Sequence, residues 1–182
     1  MQWHAILVTV GTLQTCHKRI HAHLFFLQGK GYPDIATRAM THFMSMASPQ
    51  NGFAEPPVFG LMDYDPDGMA ILHTYKHGSN KSLESNDAIS VPKIQWMGLC
   101  SQDLTDEDST HQSQGLMPLT RRDRHKARKM LSWGRFTEPE EAAQWRRELQ
   151  VMLMLNLKAE IQIIDSGPSG LGSMIKNAVS HT

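Results

Sequence analysis

An apolar run that ends abruptly in closely spaced aspartates constrains this chain more than any other feature of its sequence. The residues from Val58 to Met62 are apolar, Asp63, Asp65 and Asp67 follow at every second position, and a helix-like pattern comes next. That order predicts a strand, an acidic turn and a helix, with Asp63 at the carboxyl end of the strand, where open α/β sheets place ligand chemistry. Packed carboxylates repel one another unless a cation or a proton intervenes, and oxygen ligands suit Mg²⁺ or Mn²⁺. The turn therefore predicts a divalent-metal site.

The acidic turn has two other interpretations. Its letters DYDPDG match the opening of a calcium-binding EF-hand loop, but the twelfth position, which needs a bidentate glutamate, is Thr74, and no helix-like segment precedes it. A plain turn with a capping aspartate would explain Asp67 and Gly68. It does not explain why Asp63 and Asp65 stand together at a strand end. The metal pair is therefore favoured, and Asp67 is a weaker candidate that is a metal ligand or orients the turn.

Composition limits the class of protein. A chain of 182 residues suits one domain with a buried core. Its 18 basic and 18 acidic residues cancel, so net charge neither favours nor excludes a polyanionic partner. Cys16 and Cys100 lie too far apart in sequence to give metal-ligand spacing or a disulfide framework, which is typical of a reducing compartment. No apolar run approaches a membrane span, so we expect a soluble, intracellular protein with no membrane partner.

Apolar runs alternate with helix-like segments in the first half of the chain. Strands are expected at residues 5–10, 24–27 and 58–62, the second of them buried, and helices at 13–23, from the N-cap Asp34 to Met44, and after the acidic turn. This order predicts a parallel sheet with crossover helices. A fourth strand is expected at Ile89 to Trp96, at an edge or boundary because of Pro92. The predicted class is α/β, a compact parallel sheet flanked by helices.

The second half is expected to add a C-terminal helical extension. Seven Lys and Arg residues and a single acid lie between Arg121 and Arg135. This pattern is typical of a solvated helix face and leaves a phosphate-binding role open. Thr137 and Glu140 match a capping box, and apolar residues recur after them at helical spacing, so a long helix is expected to about Ile161.

Four segments, in this order, closely resemble the meiotic recombination transesterases, which are similar to the A subunit of topoisomerase VI. They are GKGYPDIATR (29–38), LMDYDPDGMAILHTYKHGS (61–79), LTRRDRHKARKML (119–131) and WRRELQVMLMLNLKAEIQ (145–162). The resemblance spans about residues 24–164 and implies that residues 1–182 form one Toprim domain, which holds Mg²⁺ or Mn²⁺ for DNA strand breakage. It also implies a nuclear protein that acts on DNA in meiotic recombination, forms a homodimer and engages a topoisomerase VI B-like subunit.

The same resemblance assigns roles to individual residues. Asp63 and Asp65 match the family's two metal-binding aspartates. Residues 29–31 match a glycine-rich loop near DNA, which places Lys30 near phosphate, although a solvated lysine is the simpler interpretation. Arg38 is expected to be structural or close to phosphate. A place near DNA is also expected for two residues of the basic run, Arg121 and Arg124.

Two departures from the family limit what the chain is expected to do. Members carry a winged-helix domain before the Toprim region, with the tyrosine that attacks DNA, and too little chain precedes the first strand here to hold it. Tyr32, Tyr64 and Tyr75 all lie inside Toprim motifs, so none is expected to be the nucleophile. The family's third metal ligand, a glutamate just after the first strand, falls at Val10 to Thr12, where no acid occurs.

These departures leave two hypotheses for a chain whose family consists of type IIB-like topoisomerases, an isomerase class. In the first, the chain is the metal-binding half of a composite transesterase site, has no catalytic residue of its own and cleaves nothing alone. In the second, it is a catalytically inert Toprim module for DNA binding or dimerisation, from a truncated or misassembled gene product. With one carboxylate fewer, the affinity for Mg²⁺ is expected to fall. A general Mg²⁺-dependent phosphatase or nuclease would leave three of the four motifs unexplained.

Overall fold

The chain forms two compact units in the structure, a computed structural model. It describes residues 3–10, 23–49, 55–78, 87–103, 115–133, 140–166 and 170–180. The first unit comprises residues 1–62, 71–97 and 178–182, and the second comprises residues 63–70 and 98–177. The expectation of a single domain stays a prediction.

The described strands of the first unit form one four-stranded sheet. In chain order they are β1 (Trp3–Val10), β2 (His23–Lys30), β3 (Val58–Met62) and β4 (Gln95–Met97), and they lie in the order β2-β1-β3-β4. Strands β3 and β4 are parallel, whereas β1 is antiparallel to both β2 and β3. The α/β class is confirmed, but the sheet is mixed rather than wholly parallel. The helix expected at 13–23 falls outside the described residues except for His23, which begins β2.

Strand β3 is the buried centre of this sheet, with all five of its residues buried. Gly60 lets helix α2 (Pro66–His77) approach the strand closely, because an added Cβ would lie 2.5 Å from Leu72 Cδ1. Ile71 and Tyr75 on the same helix are fully buried. The strand that leads into the acidic turn is thus held by the core of the first unit.

Helix α1 (Ile35–Ser45) begins where the sequence predicts. The side chain of Asp34 accepts a hydrogen bond from the Thr37 backbone N–H at 2.7 Å, which confirms Asp34 as the N-cap. The helix ends at Ser45, one residue beyond the expected Met44.

Two strand predictions are wrong in part. Strand β2 is an edge strand of the described sheet, and Phe25 and Phe26 are 49% and 56% exposed rather than buried. Since consecutive strand residues point to opposite faces, neither face of the sheet is fully covered there. The strand expected at Ile89 to Trp96 is restricted to β4, because a short 3₁₀ helix (Asp87–Ile89) and a turn at Pro92 precede it.

The second unit contains helices α3 (Arg121–Leu131) and α4 (Glu140–Leu155) and most of α5 (Leu171–Ser180). A two-stranded antiparallel sheet joins β5 (Leu116–Pro118) to β6 (Leu157–Ala159). A 3₁₀ helix (Ile161–Ser166) follows β6. None of the helices in the described ranges is both long and apolar enough to span a membrane.

Helix boundaries in this unit differ from the expected ones. Helix α4 ends at Leu155, six residues before the expected Ile161, because Asn156 adopts a positive φ of 53° and β6 begins directly after it. The expected cap Thr137 lies outside the described residues. A capping box that the sequence analysis did not identify, Thr120 with Asp123, starts α3.

Candidate metal centre

The acidic turn connects β3 to α2 and is fixed first by its own backbone. The Asp65 N–H donates to the Asp63 carbonyl at 2.9 Å, and the Met69 N–H donates to the Asp65 carbonyl at 3.2 Å. The side chain of Asp65 accepts from the Gly68 N–H at 2.6 Å. Asp65, and not Asp67, therefore caps the helix, and Pro66 occupies the first helical position, where a missing N–H costs nothing.

The chain segment after α4 fixes the turn from another side. Tyr64 and Ala159 exchange two backbone hydrogen bonds of 2.9 and 3.0 Å. The Ile161 N–H donates to Asp63 Oδ1 at 3.0 Å. The last of the four motifs, which contains KAEIQ, thus holds the backbone and one carboxylate of the acidic turn.

Asp63 and Asp65 are both buried, at 7% and 8% exposure. Burial raises the pKa of Asp65 to about 6; the hydrogen bond from Gly68 opposes this rise, and the charges of Asp63 and Asp67 add to it. The carboxylates therefore repel one another in a space with little water. A bound cation relieves this condition, so the donor set of the turn fits a divalent metal ion.

Two lysines that the sequence analysis did not assign to the site stand among these carboxylates. Lys126, in the basic run on α3, forms an ion pair with Asp67. Lys158 Nζ lies 2.9 Å from Asp123 Oδ2. Burial lowers the pKa of Lys158, but the hydrogen bond and charge of Asp123, with the charges of Asp65 and Asp67, raise it overall.

Together the two lysines offset two of the four carboxylates of this cluster, which are Asp63, Asp65, Asp67 and Asp123. Because its carboxylate already pairs with Lys126, Asp67 is a weaker ligand candidate than the other two residues of the turn. In the sequence, the only indication that Lys126 and Lys158 belong to the site was that they lie in the third and fourth family motifs.

Acid is expected to remove the contribution of the Asp123–Lys158 pair to stability. Burial raises the pKa of Asp123, but hydrogen bonds from Lys158 and Thr120 outweigh this and hold it below its usual value of 3.8. The contribution is complete above that value and is lost as the pH falls through the lower, folded-state pKa. Asp123→Asn should therefore cost about 2 kcal/mol of unfolding free energy at pH 6 in urea denaturation, and much less in strong acid.

The control for this prediction is Glu55→Gln, which breaks an exposed ion pair with Lys93. Solvent screens that pair, so its loss should change stability little at either pH. An Asp123→Asn variant with the same pH dependence of unfolding as the wild type would contradict the assignment.

The described residues do not complete the three-carboxylate set expected from the family. No group of three or more His, Cys, Asp or Glu side chains within those ranges is placed to hold a metal ion. Strand β1 runs antiparallel to β3, with His4 opposite Met62 and Val8 opposite Val58. Val10 therefore lies toward the start of β3, far from Met62, where β3 ends.

The residues expected near DNA have different environments. In the first unit, Lys30 ends β2, and Arg38 on α1 is only 3% exposed, with its pKa lowered by burial. Burial favours the structural role of Arg38, and contact with DNA stays a prediction. In the second unit, Arg121 is exposed at the start of α3, whereas Arg124 donates to the Leu119 carbonyl at 2.6 Å and to Asn156 Oδ1 at 3.0 Å.

Two of the three tyrosines are buried. Tyr64 is 1% exposed and Tyr75 is fully buried. Burial raises the pKa of both phenols well above the usual value, and for Tyr64 the hydrogen bond to Glu148 raises it further. Both side chains stay protonated and covered, which does not suit attack on a phosphate. Tyr32 is 51% exposed, and the expectation that it is no nucleophile stays a prediction.

Comparison with known proteins gives a consistent answer. The family of the Toprim domain shared by Spo11 and the A subunit of topoisomerase 6 matches residues 12–170. The chain is 36% identical over 140 residues to the meiotic recombination protein SPO11-1 of Oryza sativa subsp. indica, which covers 77% of this chain and 34% of that protein. It is 35% identical over 140 residues to the meiotic recombination protein SPO11 of Homo sapiens, covering 76% and 32% of the two chains.

A third relative, the meiotic recombination protein spo-11 of Caenorhabditis elegans, is 38% identical over 136 residues, which cover 75% of this chain and 29% of that protein. The chain thus spans about a third of the length of the curated relatives it matches. Toprim domains generally bind divalent metal ions, and the buried aspartates of the acidic turn suit this property. The family resemblance and the Toprim fold expected from the four motifs are confirmed, and the chain belongs, as a Toprim domain, to the family of Spo11 and the A subunit of topoisomerase 6.

Proposed function

We propose that this chain provides the cation-binding half of a DNA strand-breaking site that works in meiotic recombination, in the nucleus. The relatives that it matches are meiotic recombination proteins, and its family acts on DNA. One structural observation carries the proposal, namely the buried pair of carboxylates, Asp63 and Asp65, held at the end of β3.

Asp63 and Asp65 would hold the ion, which we propose to be Mg²⁺, with Mn²⁺ as a substitute. Such an ion, when bound, polarises a phosphate and offsets the negative charge that develops during strand breakage. The amides of Ile161 and Gly68 orient the two carboxylates, since each donates to one carboxylate oxygen. Asp67, paired with Lys126, keeps a supporting role in the turn.

The exposed basic face of α3 is proposed to contact the DNA backbone. Arg121 is exposed, as are three further cations of the same helix, Arg122, Arg128 and Lys129. These residues belong to the same unit as the aspartates. Phosphate contacts of this kind position DNA without reading its sequence, and they weaken as salt rises. Lys30 and Arg124 are proposed to assist, the latter through its position beside Asn156.

Strand breakage by transesterification also needs a tyrosine, and the burial of Tyr64 and Tyr75 gives these two no access to DNA. We therefore propose that the nucleophile comes from another polypeptide segment and that the chain alone cleaves nothing. The proposed partners are a second copy of the chain, forming a homodimer, and a topoisomerase VI B-like subunit. Large apolar side chains exposed on the first unit support a protein partner; they are Phe25, Phe26, Ile35 and Phe43.

The second candidate is an inert Toprim module that binds DNA or dimerises without metal chemistry. It is favoured because no group of three or more His, Cys, Asp or Glu side chains that could hold a metal ion occurs in the described ranges. Cation binding separates the two candidates.

Calorimetric titration of the 182-residue chain with MgCl₂ and MnCl₂ tests the proposal. The wild type is expected to bind at millimolar concentration, and Asp63→Asn, which keeps the side-chain shape and an acceptor for Ile161, should bind about tenfold more weakly or worse. Glu55→Gln, at an exposed acid of the first unit, is the matched control and should bind as the wild type does. No heat from the wild type would favour the inert module. Nicking of supercoiled plasmid by the wild type that disappears in Asp63→Ala would overturn the expectation that the chain cleaves nothing alone.

A further inference from the structure

A buried hydrogen-bonded cluster lies beside the acidic turn and has no role in the function proposed so far. Its centre is Glu148 on α4, which is 4% exposed. The Tyr64 hydroxyl donates to Glu148 Oε2 at 2.9 Å, and Ser101 donates twice, from its N–H at 2.8 Å to Oε2 and from its hydroxyl at 3.0 Å to Oε1. A buried carboxylate is costly unless donors meet its oxygens, and here three donors do so.

The cluster is connected to the candidate metal ligands through Tyr64. Tyr64 is the central residue of a three-residue turn that the Asp65 N–H closes onto the Asp63 carbonyl. Its backbone is paired in both directions with Ala159, and its phenol is held by Glu148. The position of Tyr64 therefore sets how Asp63 and Asp65 are spaced and oriented.

A hydrogen bond fixes this position more narrowly than packing alone. An apolar pair could fill the same volume, but it would leave the ring free to shift along α4, because dispersion contacts have little directional preference. A phenol that donates to one carboxylate oxygen, itself fixed by Ser101, has a single favoured placement. Glu148 is the glutamate of WRRELQ in the fourth motif, and the sequence analysis gave it no role.

We propose that Glu148 is a positioning residue for the cation pair and acts through Tyr64. The inference rests on the proposed cation binding by Asp63 and Asp65. Glu148 does not touch the ion; it keeps the two carboxylates at the spacing that binds it. Its partner Ser101 keeps the carboxylate of Glu148 in place from a different segment of the second unit.

The test compares Mn²⁺ affinity and thermal stability in conservative variants of the full chain. Tyr64→Phe removes one oxygen atom, and Glu148→Gln removes the charge but keeps the shape. Each should weaken Mn²⁺ binding about tenfold, as changes behind a metal ligand usually do. The double variant should bind no more weakly than the weaker single variant, because Glu148→Gln only weakens, by removing the charge of the acceptor, the hydrogen bond that Tyr64→Phe removes.

The control is Leu149→Val, which loosens the packing of a fully buried neighbour on α4. It should lower the melting temperature and leave Mn²⁺ affinity unchanged. If Glu148 only stabilised the fold, the Glu148 and Tyr64 variants would behave in the same way as Leu149→Val. If Glu148→Gln does not fold, Tyr64→Phe decides alone. Wild-type affinity in Tyr64→Phe, or additive losses in the double variant, would overturn this inference only. A wild type that binds no Mn²⁺ would overturn the proposed function and this inference together.

Discussion

Replacing Gly68 by alanine is expected to lower the free energy of unfolding by about 3 kcal/mol, the upper range for an overpacked site. A Cβ at this position would lie 2.3 Å from the Asp63 carbonyl oxygen. That atom belongs to the backbone and accepts the hydrogen bond from Asp65, so it cannot rotate away as a side chain would. The turn must open, and the hydrogen bond from the Gly68 N–H to Asp65 is lost with it. Urea denaturation measures the loss in stability, and Mn²⁺ titration should show the loss of cation binding.

Two other glycines serve as controls for this substitution. A Cβ at Gly172 on α5 would meet nothing within 4 Å, so Gly172→Ala should be neutral or slightly stabilising, as expected for alanine in a helix. A Cβ at Gly60 would press on Leu72 Cδ1, the end of a side chain that can move, so Gly60→Ala should cost less than Gly68→Ala. Wild-type stability and cation affinity in Gly68→Ala would show that the turn tolerates a different backbone path.

The local parts of the candidate site could be predicted from the sequence. The strand, acidic turn and helix from Val58 to His77 follow from neighbouring residues, because the change from an apolar run to alternating aspartates needs no distant partner. The cap at Asp34 is local in the same sense. The choice of Asp65 over Asp67 as the cap of α2 was missed, although Pro66 at the first helical position indicates it.

The partners that hold the turn could not be predicted from local patterns. Tyr64 and Glu148 are 84 residues apart in sequence, and Asp63 and Ile161 are 98 residues apart. Helical periodicity predicts which face of α4 is buried, but it does not predict which side chain donates a hydrogen bond to Glu148. The resemblance placed these segments in one family without stating their contacts. Only the fold shows that the fourth motif (145–162) forms hydrogen bonds to the acidic turn in the second motif (61–79).

The predictions of strand direction, strand burial and the end of α4 were wrong because each depends on more than the local sequence pattern. The apolar residues of β1 do not reveal its direction beside β2 and β3, and those of β2 do not reveal that an edge strand leaves Phe25 and Phe26 half-exposed. The end of α4 depends on a positive φ at Asn156, an allowed but uncommon choice for asparagine that helical periodicity does not signal.

In a chain kept free of divalent cations, Asp65→Asn is expected to raise the free energy of unfolding by about 2 kcal/mol at pH 7. Asp65 is buried beside Asp63 and Asp67, and burial with these charges raises its pKa to about 6 despite the hydrogen bond from Gly68. At pH 7 the folded chain therefore carries an ionised group that its surroundings disfavour. Asparagine has the same shape, still accepts from Gly68 and carries no charge. Urea denaturation in EDTA measures the gain.

Divalent cations should reduce or reverse the difference in unfolding free energy between Asp65→Asn and the wild type. The wild type gains stability by binding Mg²⁺ in the folded state only, whereas Asp65→Asn has lost a ligand and gains less. Asp67→Asn is the matched control, since it removes the same charge from the same turn but breaks the ion pair with Lys126, and it should lose stability in EDTA. If Asp65→Asn also loses stability in EDTA, an ionised Asp65 is favourable without a cation. With the expected signs, the buried pair is a local instability that the folded chain retains because a cation binds there.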